Sequence, residues 1–139
     1  YVIFPGFDVD KSEVEQRKLS AVPQAADALC RRIEAMEKGD FTHHGCVAWL
    51  KSRIIYPWFM RHVDDTPFAT TDACVGCGRC AAACPTANIT ISSHKPQWHG
   101  DCLNCLACYH TCPHHAVAFG RRTHGKGQYT CPDNKSTSK

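Results

Sequence analysis

No run of about 20 apolar residues, the length a membrane-spanning helix needs, occurs in this chain. The longest apolar stretch, GCVAWLKSRIIYPWFM at 45–60, is broken by Lys51, Arg53 and Pro57. It reads as a helix docked on protein, and no membrane partner is expected. Charge of one sign is scarce as well. The net charge is +3, and residues 72–131 carry Arg79, Lys95, Arg121, Arg122 and Lys126 against Asp72 and Asp101. Five dispersed cations do not make the basic stripe of a nucleic-acid binder, so no nucleic-acid partner is expected. A nucleophile beside a positioned base and a nucleotide-binding loop are both missing, so no catalytic residue is assigned. The start, Tyr1 onward, has neither a charged n-region nor a small-residue cleavage site. The segment is read as part of a longer polypeptide.

Cysteine, by contrast, is abundant: 11 in 139 residues. A disulfide scaffold, a zinc protein and an iron–sulfur protein all have such a composition, and spacing must separate them. Cys74, Cys77, Cys80 and Cys84 recur as Cys102, Cys105, Cys108 and Cys112, each at the same offset along the chain. The flanking residues repeat too, CPTANITI (84–91) against CPHHAVAF (112–119). Zinc favours two C-x2-C pairs per tetrahedral site, whereas each run here has three close cysteines and a displaced fourth before proline. Disulfides at these spacings would force near neighbours to pair or demand cross-pairing between the runs.

CVGCGRCAAACP (74–85) and CLNCLACYHTCP (102–113) both fit C-x2-C-x2-C-x3-C-P, the known bacterial ferredoxin run whose fourth cysteine ligates the other cluster. Three thiolates on a loop reach three corners of one cube, and the fourth points away toward a second. One [4Fe–4S] cluster is therefore expected on Cys74, Cys77, Cys80 and Cys112, and another on Cys102, Cys105, Cys108 and Cys84. Cys77 and Cys105 are both present, which argues against a three-iron cluster. Gly76 and Gly78 let the loop wrap closely, and Asn104 replaces Gly76 as the side chain that best tolerates the left-handed region. Val75, Ile89, Ile91, Leu103, Leu106, Val117 and Phe119 are expected to form a dry shell that keeps the clusters at low potential.

Local patterns give the rest. Ser12 with Glu15 fits a capping box, and Pro23 divides or kinks the helical stretch after it. Ala26, Leu29, Ile33 and Met36 share a face that Gly39 ends. Residues 49–60 read as helical up to Pro57. These helices carry an apolar stripe that the segment 1–66 alone can hardly cover. Residues 67–131 read as one cluster-bearing domain, in which about 67–120 repeat cysteine loop, helical turn and short strand twice over, with Phe68–Thr70 and Gln97–His99 as partner strands. Residues 1–7 look like a strand end, and 132–139 form a polar tail expected to be disordered. Cys30 and Cys46 are taken as buried, inert thiols and Cys131 as exposed. His110, His114 and His115 are read as solvated, His43 and His44 as a polar turn, and Trp98 as core beside the second cluster.

Residues 67–120 resemble the clostridial-type two-cluster ferredoxins through this double motif. The resemblance implies an α+β fold, a pseudo-twofold βαββαβ module preceded by the helical segment 1–66, that carries electrons without turning over a substrate. More broadly the chain is similar to the C-terminal part of flavodoxin–ferredoxin fusion proteins of anaerobic bacteria. The features are IFPGF (3–7), the helices of 12–60, Pro96–Trp98, and a glycine-rich stretch ending in Tyr129 and Pro132. Gln128 and Cys131 depart from that pattern. This implies a redox protein partner, flavin-containing and tethered, with FMN held only by an upstream domain, and a cytoplasmic setting. Two rival readings stand beside it: the cluster-bearing part of a reductase whose catalytic domain lies upstream, and a structural zinc module.

Overall fold

The computed structural model describes residues 8–41, 45–61 and 63–130. The strand expected at 1–7, His43, His44, Cys131 and the tail lie outside the described residues. The chain divides into a helical unit, Asp10–Trp58, and a cysteine-rich unit, Phe59–Lys139 with Tyr1–Val9.

In the helical unit, α1 spans Ser12–Glu34 without a break at Pro23. Its cap is Lys11 and no side chain bonds the first turn, so the capping box expected from Ser12 and Glu15 is not made. Glu13 and Glu15 still place negative charge at the helix start, which the macrodipole favours. The helix ends at Glu34, short of Gly39. Met36 takes the left-handed conformation at φ 51°, its amide bonds the Ile33 carbonyl and that of Glu37 the Arg32 carbonyl, the Schellman pattern. An Arg32–Glu37 ion pair at 3.3 Å clasps it. α1 buries none of its residues, so Cys30 is exposed, as is Cys46. Both correct the expectation of buried thiols.

A second helical run comprises α2 (Ala48–Leu50), a π turn (Lys51–Ile55) and α3 (Tyr56–Met60). It passes through Pro57 instead of stopping there. The Tyr56 amide bonds back to Lys51, one residue further than in an α-helix. This wider turn shifts the carbonyls that would otherwise meet the proline ring.

The cysteine-rich unit runs β1 (Phe68–Thr70), α4 (Arg79–Ala82), β2 (Ile89–Ser92), β3 (Lys95–Trp98), α5 (Ala107–His110) and β4 (Val117–Phe119), then a 3-10 turn at Gly120–Thr123. β1 pairs antiparallel with β4, Phe68 opposite Phe119, and β2 with β3, Ile89 opposite Trp98. The mixture of short helices and small sheets is α+β. β3 starts earlier than expected because β2 and β3 form a tight hairpin. Ser93 and His94, at φ 49° and 61°, make the turn, whose twist suits a hairpin. His99 lies past the strand, its amide bonding Asn88.

An isolated two-stranded sheet is marginal in water, so a shared core has to hold both. Phe68, Ile89, Leu106, Tyr109, Val117 and Phe119 supply it, each worth about 1.5–3 kcal/mol on burial. Phe68 bridges the sheets, stacking on Trp98 at 5.3 Å and touching Phe119 at 4.6 Å. Val75 and Leu103 are more than half exposed and Ile91 more than a third. Of the expected shell, these three present one side to solvent, because each sits at a cavity rim.

Candidate metal centre

Both cysteine runs fold the same way. α4 and α5 occupy corresponding positions in the repeat, and so do three pairs with positive φ: Gly76 and Asn104, Gly78 and Leu106, Ala87 and His115. Asn104, at φ 53°, adopts the left-handed conformation expected of it. Leu106 at φ 59° is the costly member, since a β-carbon there raises the energy by roughly 1–2 kcal/mol. Its side chain is 3% exposed, and that burial offsets the strain. Each short helix turns its third cysteine, Cys80 or Cys108, into the interior. Cys84 and Cys112 come after the turn, just before Pro85 and Pro113.

The turns carry the cysteines to two cavities. The first, open on one side to solvent, is lined by Cys74, Cys77, Cys80 and Cys112. The second, also open on one side, is lined by Cys84, Cys102, Cys105 and Cys108. Each thus gathers three cysteines of one run and the last of the other. Within each run the middle cysteine, Cys77 or Cys105, is exposed and the third buried. The walls are almost wholly apolar, with Pro96 and Val117 at the first and Phe68, Ile89, Leu106 and Trp98 at the second.

Several donors meet the sulfurs. The Asn104 amide donates to Cys102 Sγ and the Ala116 amide to Cys112 Sγ, each at 3.3 Å. The Thr86 hydroxyl, whose own proton goes to the Asp101 carbonyl at 2.6 Å, lies 3.5 Å from Cys84 Sγ. Burial alone would raise the Cys84 thiol, but Thr86 and the amides of residues 86–88 outweigh it and hold the thiol below its ordinary value. Cys80 and Cys102 are raised, chiefly by burial. Cys108 is pushed up to about 12 by burial and then by Cys105. A Lewis acid binding such a sulfur would displace its proton to solvent.

A single zinc ion would need its thiolates about 2.3 Å away on every side. Among the described residues, no three His, Cys, Asp or Glu side chains converge in that way. Four thiols lining one cavity suit a multi-metal cube with one ligand per corner. The donor set, the dry walls and the absence of a β-carbon at Gly76, where the His94 carbonyl presses on the loop, all fit such a group.

Two residues that position the site escape a reading of the sequence. Asn88, 3% exposed, accepts the amides of His99 and Asp101 at 3.0 and 2.8 Å and donates to Asp65 at 2.9 Å. Asp65 also takes the Gly100 amide. This clasp fixes the start of the second cysteine run. An asparagine just ahead of a short strand gives no local sign of burial, so only the fold reveals it. His110 also departs from expectation. It is half-buried, accepts the Tyr129 amide at 3.0 Å, and is lowered by burial, whereas His114 and His115 are exposed.

Residues 73–116, which contain all eight run cysteines, match the family model of the 4Fe-4S dicluster domain. This supports a ferredoxin-type iron–sulfur domain here, with [4Fe–4S] binding and electron transfer as its general chemistry. Comparison with curated proteins and with solved structures finds no match. No helix among the described residues is long and apolar enough to cross a membrane.

Proposed function

We propose that the cysteine-rich unit is a two-cluster electron carrier of the clostridial type. Cys74, Cys77, Cys80 and Cys112 hold one [4Fe–4S] cluster, and Cys102, Cys105, Cys108 and Cys84 the other. The observation that carries this reading is the exchange of the fourth cysteine between the two cavities. It also favours a pseudo-twofold βαββαβ arrangement, because neither run can complete a site alone. When bound, such clusters accept and release one electron each, at potentials set by charge, solvent access and hydrogen bonds to sulfur.

The chain's own residues prepare that chemistry. The apolar walls exclude water, which disfavours the extra negative charge of a reduced centre. The amides of Asn104 and Ala116 work in the opposite direction by donating to sulfur. Cys77 and Cys105, exposed at the cavity rims, give electrons a short way in and out.

The partner is a flavin-containing redox protein on the same polypeptide, in the cytoplasm of an anaerobe. Residues 72–131 carry five cations against two anions, which two clusters of about −2 each, with their thiolates, bring close to neutral. A near-neutral carrier gains little from electrostatic steering, and tethering supplies effective concentration instead. A strong salt dependence of its reduction by a separate flavoprotein would count against this partner.

Anaerobic purification, iron and sulfide counts, and absorption and EPR before and after dithionite test the main reading. The expected result is about eight irons per chain, a visible band that bleaches, and coupled S = 1/2 signals. Stoichiometric zinc in a colourless protein that takes up no cluster on reconstitution would overturn it.

A further inference from the structure

The indole of Trp98 has a role beyond filling the core. Its Nε1 is buried and has no hydrogen-bond partner, a situation that is costly when it persists. The ring is nonetheless firmly placed. It lies in β3 opposite Ile89, stacks on Phe68 with an interplanar angle of 11°, and lines the second cavity beside Cys84, Cys102, Cys105 and Cys108. A spare donor in the wall of a cavity lined by four cysteines has sulfur as a candidate acceptor.

Among the described residues the first cavity has no counterpart. The repeat sets Thr70 against Trp98, and the first cavity's side-chain N–H groups are those of Arg79 and His114. Both are exposed and therefore weakened by water, whereas a donor in a dry wall is not.

We propose that Trp98 is a positioning residue that donates its indole N–H to sulfur of the second cluster and thereby raises the reduction potential of that cluster alone. The proposal rests on the two-cluster reading above. Reduction adds negative charge to the cluster, a hydrogen bond to its sulfur strengthens with that charge, and the reduced state gains more than the oxidised one. The dry shell and the Trp98 donor thus pull in opposite directions at the second site, whereas at the first only a backbone amide, that of Ala116, donates to sulfur against the shell.

Trp98→Phe keeps the stack on Phe68 and removes the donor. In the full chain, reconstituted anaerobically, EPR-monitored redox titration should show one potential lowered by about tenfold in the reduction equilibrium, ~59 mV for one electron, and the other unmoved. Pulsed EPR of the reduced wild type labelled with 15N-tryptophan should show a nitrogen coupling that the variant lacks. Full iron in both proteins with unchanged potentials, or with both potentials shifted equally, overturns the proposal. If the variant loses the second cluster, the labelled wild type decides: a coupling upholds the bond and its absence refutes it. A wild type that takes up no iron overturns the two-cluster reading itself, a result distinct from these.

Discussion

The carbonyl oxygen of His94 stands 2.8 Å from the point where a methyl group on Gly76 would lie. The hairpin turn that presents this carbonyl therefore closes directly over the first cysteine loop, and Cys74 Sγ lies 3.9 Å from the same oxygen. Gly76→Ala meets backbone on one side and a left-handed φ of 69° on the other. Each effect costs about 1–2 kcal/mol. The variant should lose the first cluster preferentially, seen as iron falling toward half, with the second cluster's EPR signal retained.

Serine substitutions of the run cysteines should sort by cavity and not by position in sequence. Cys84→Ser and Cys105→Ser should perturb the same cluster, and Cys112→Ser and Cys77→Ser the other. EPR of the reduced variants checks this. Grouping of Cys84 with Cys77 instead would show that each run serves its own cluster.

Asp65 is held below the ordinary carboxylate range, first by the Asn88 side chain and then by the Gly100 amide, against the effect of burial. A depressed folded value means that its stabilisation is full above the unfolded pKa of about 3.9 and is lost as pH falls through the lower folded value. Asp65→Asn should therefore flatten the acid limb of stability below about pH 4, with little change in slope near neutral pH. Acid titration of the apoprotein, monitored by circular dichroism, checks the difference.

Removing Asn88 has a different signature. Asn88→Ala takes away the side-chain oxygen that accepts the Asp101 amide and leaves Asp65 with fewer donors. A loss of about 1–3 kcal/mol is expected in chemical denaturation, together with slower reconstitution of the second cluster.

Tyr109 tethers the segment after the 3-10 turn, its hydroxyl donating to the Lys126 carbonyl at 2.8 Å. Tyr109→Phe should cost about 0.5–1.5 kcal/mol and increase proteolysis near residue 126. Its cluster content should be unchanged.

The cavities were legible from sequence because thiol spacing and the constant offset between the two runs constrain where eight sulfurs can go. The helical turns and β1 were legible for the same reason, as parts of the repeat. The hairpin turn was not, since Ser93-His94 lacks the Asn-Gly signature that usually marks two left-handed residues. Leu106 gave no warning either, because its strain is offset only by a core that forms from distant strands. Val75 and Leu103 line the cavities as expected but are more than half exposed, and Cys30 and Cys46 were misread as core on the strength of residue type. Burial in each case depends on what packs against the residue, which local pattern does not contain.

The crossed fourth cysteine also sets a schedule for the growing chain on the ribosome. With Cys74, Cys77 and Cys80 already out, the first site still lacks a corner until Cys112 emerges. The second, begun at Cys84, is complete once Cys108 appears. Both sites thus come of age within the last few residues of the motif and in reverse order of their first cysteines. A nascent chain truncated before that point offers a cluster-delivery system nothing finished to fill.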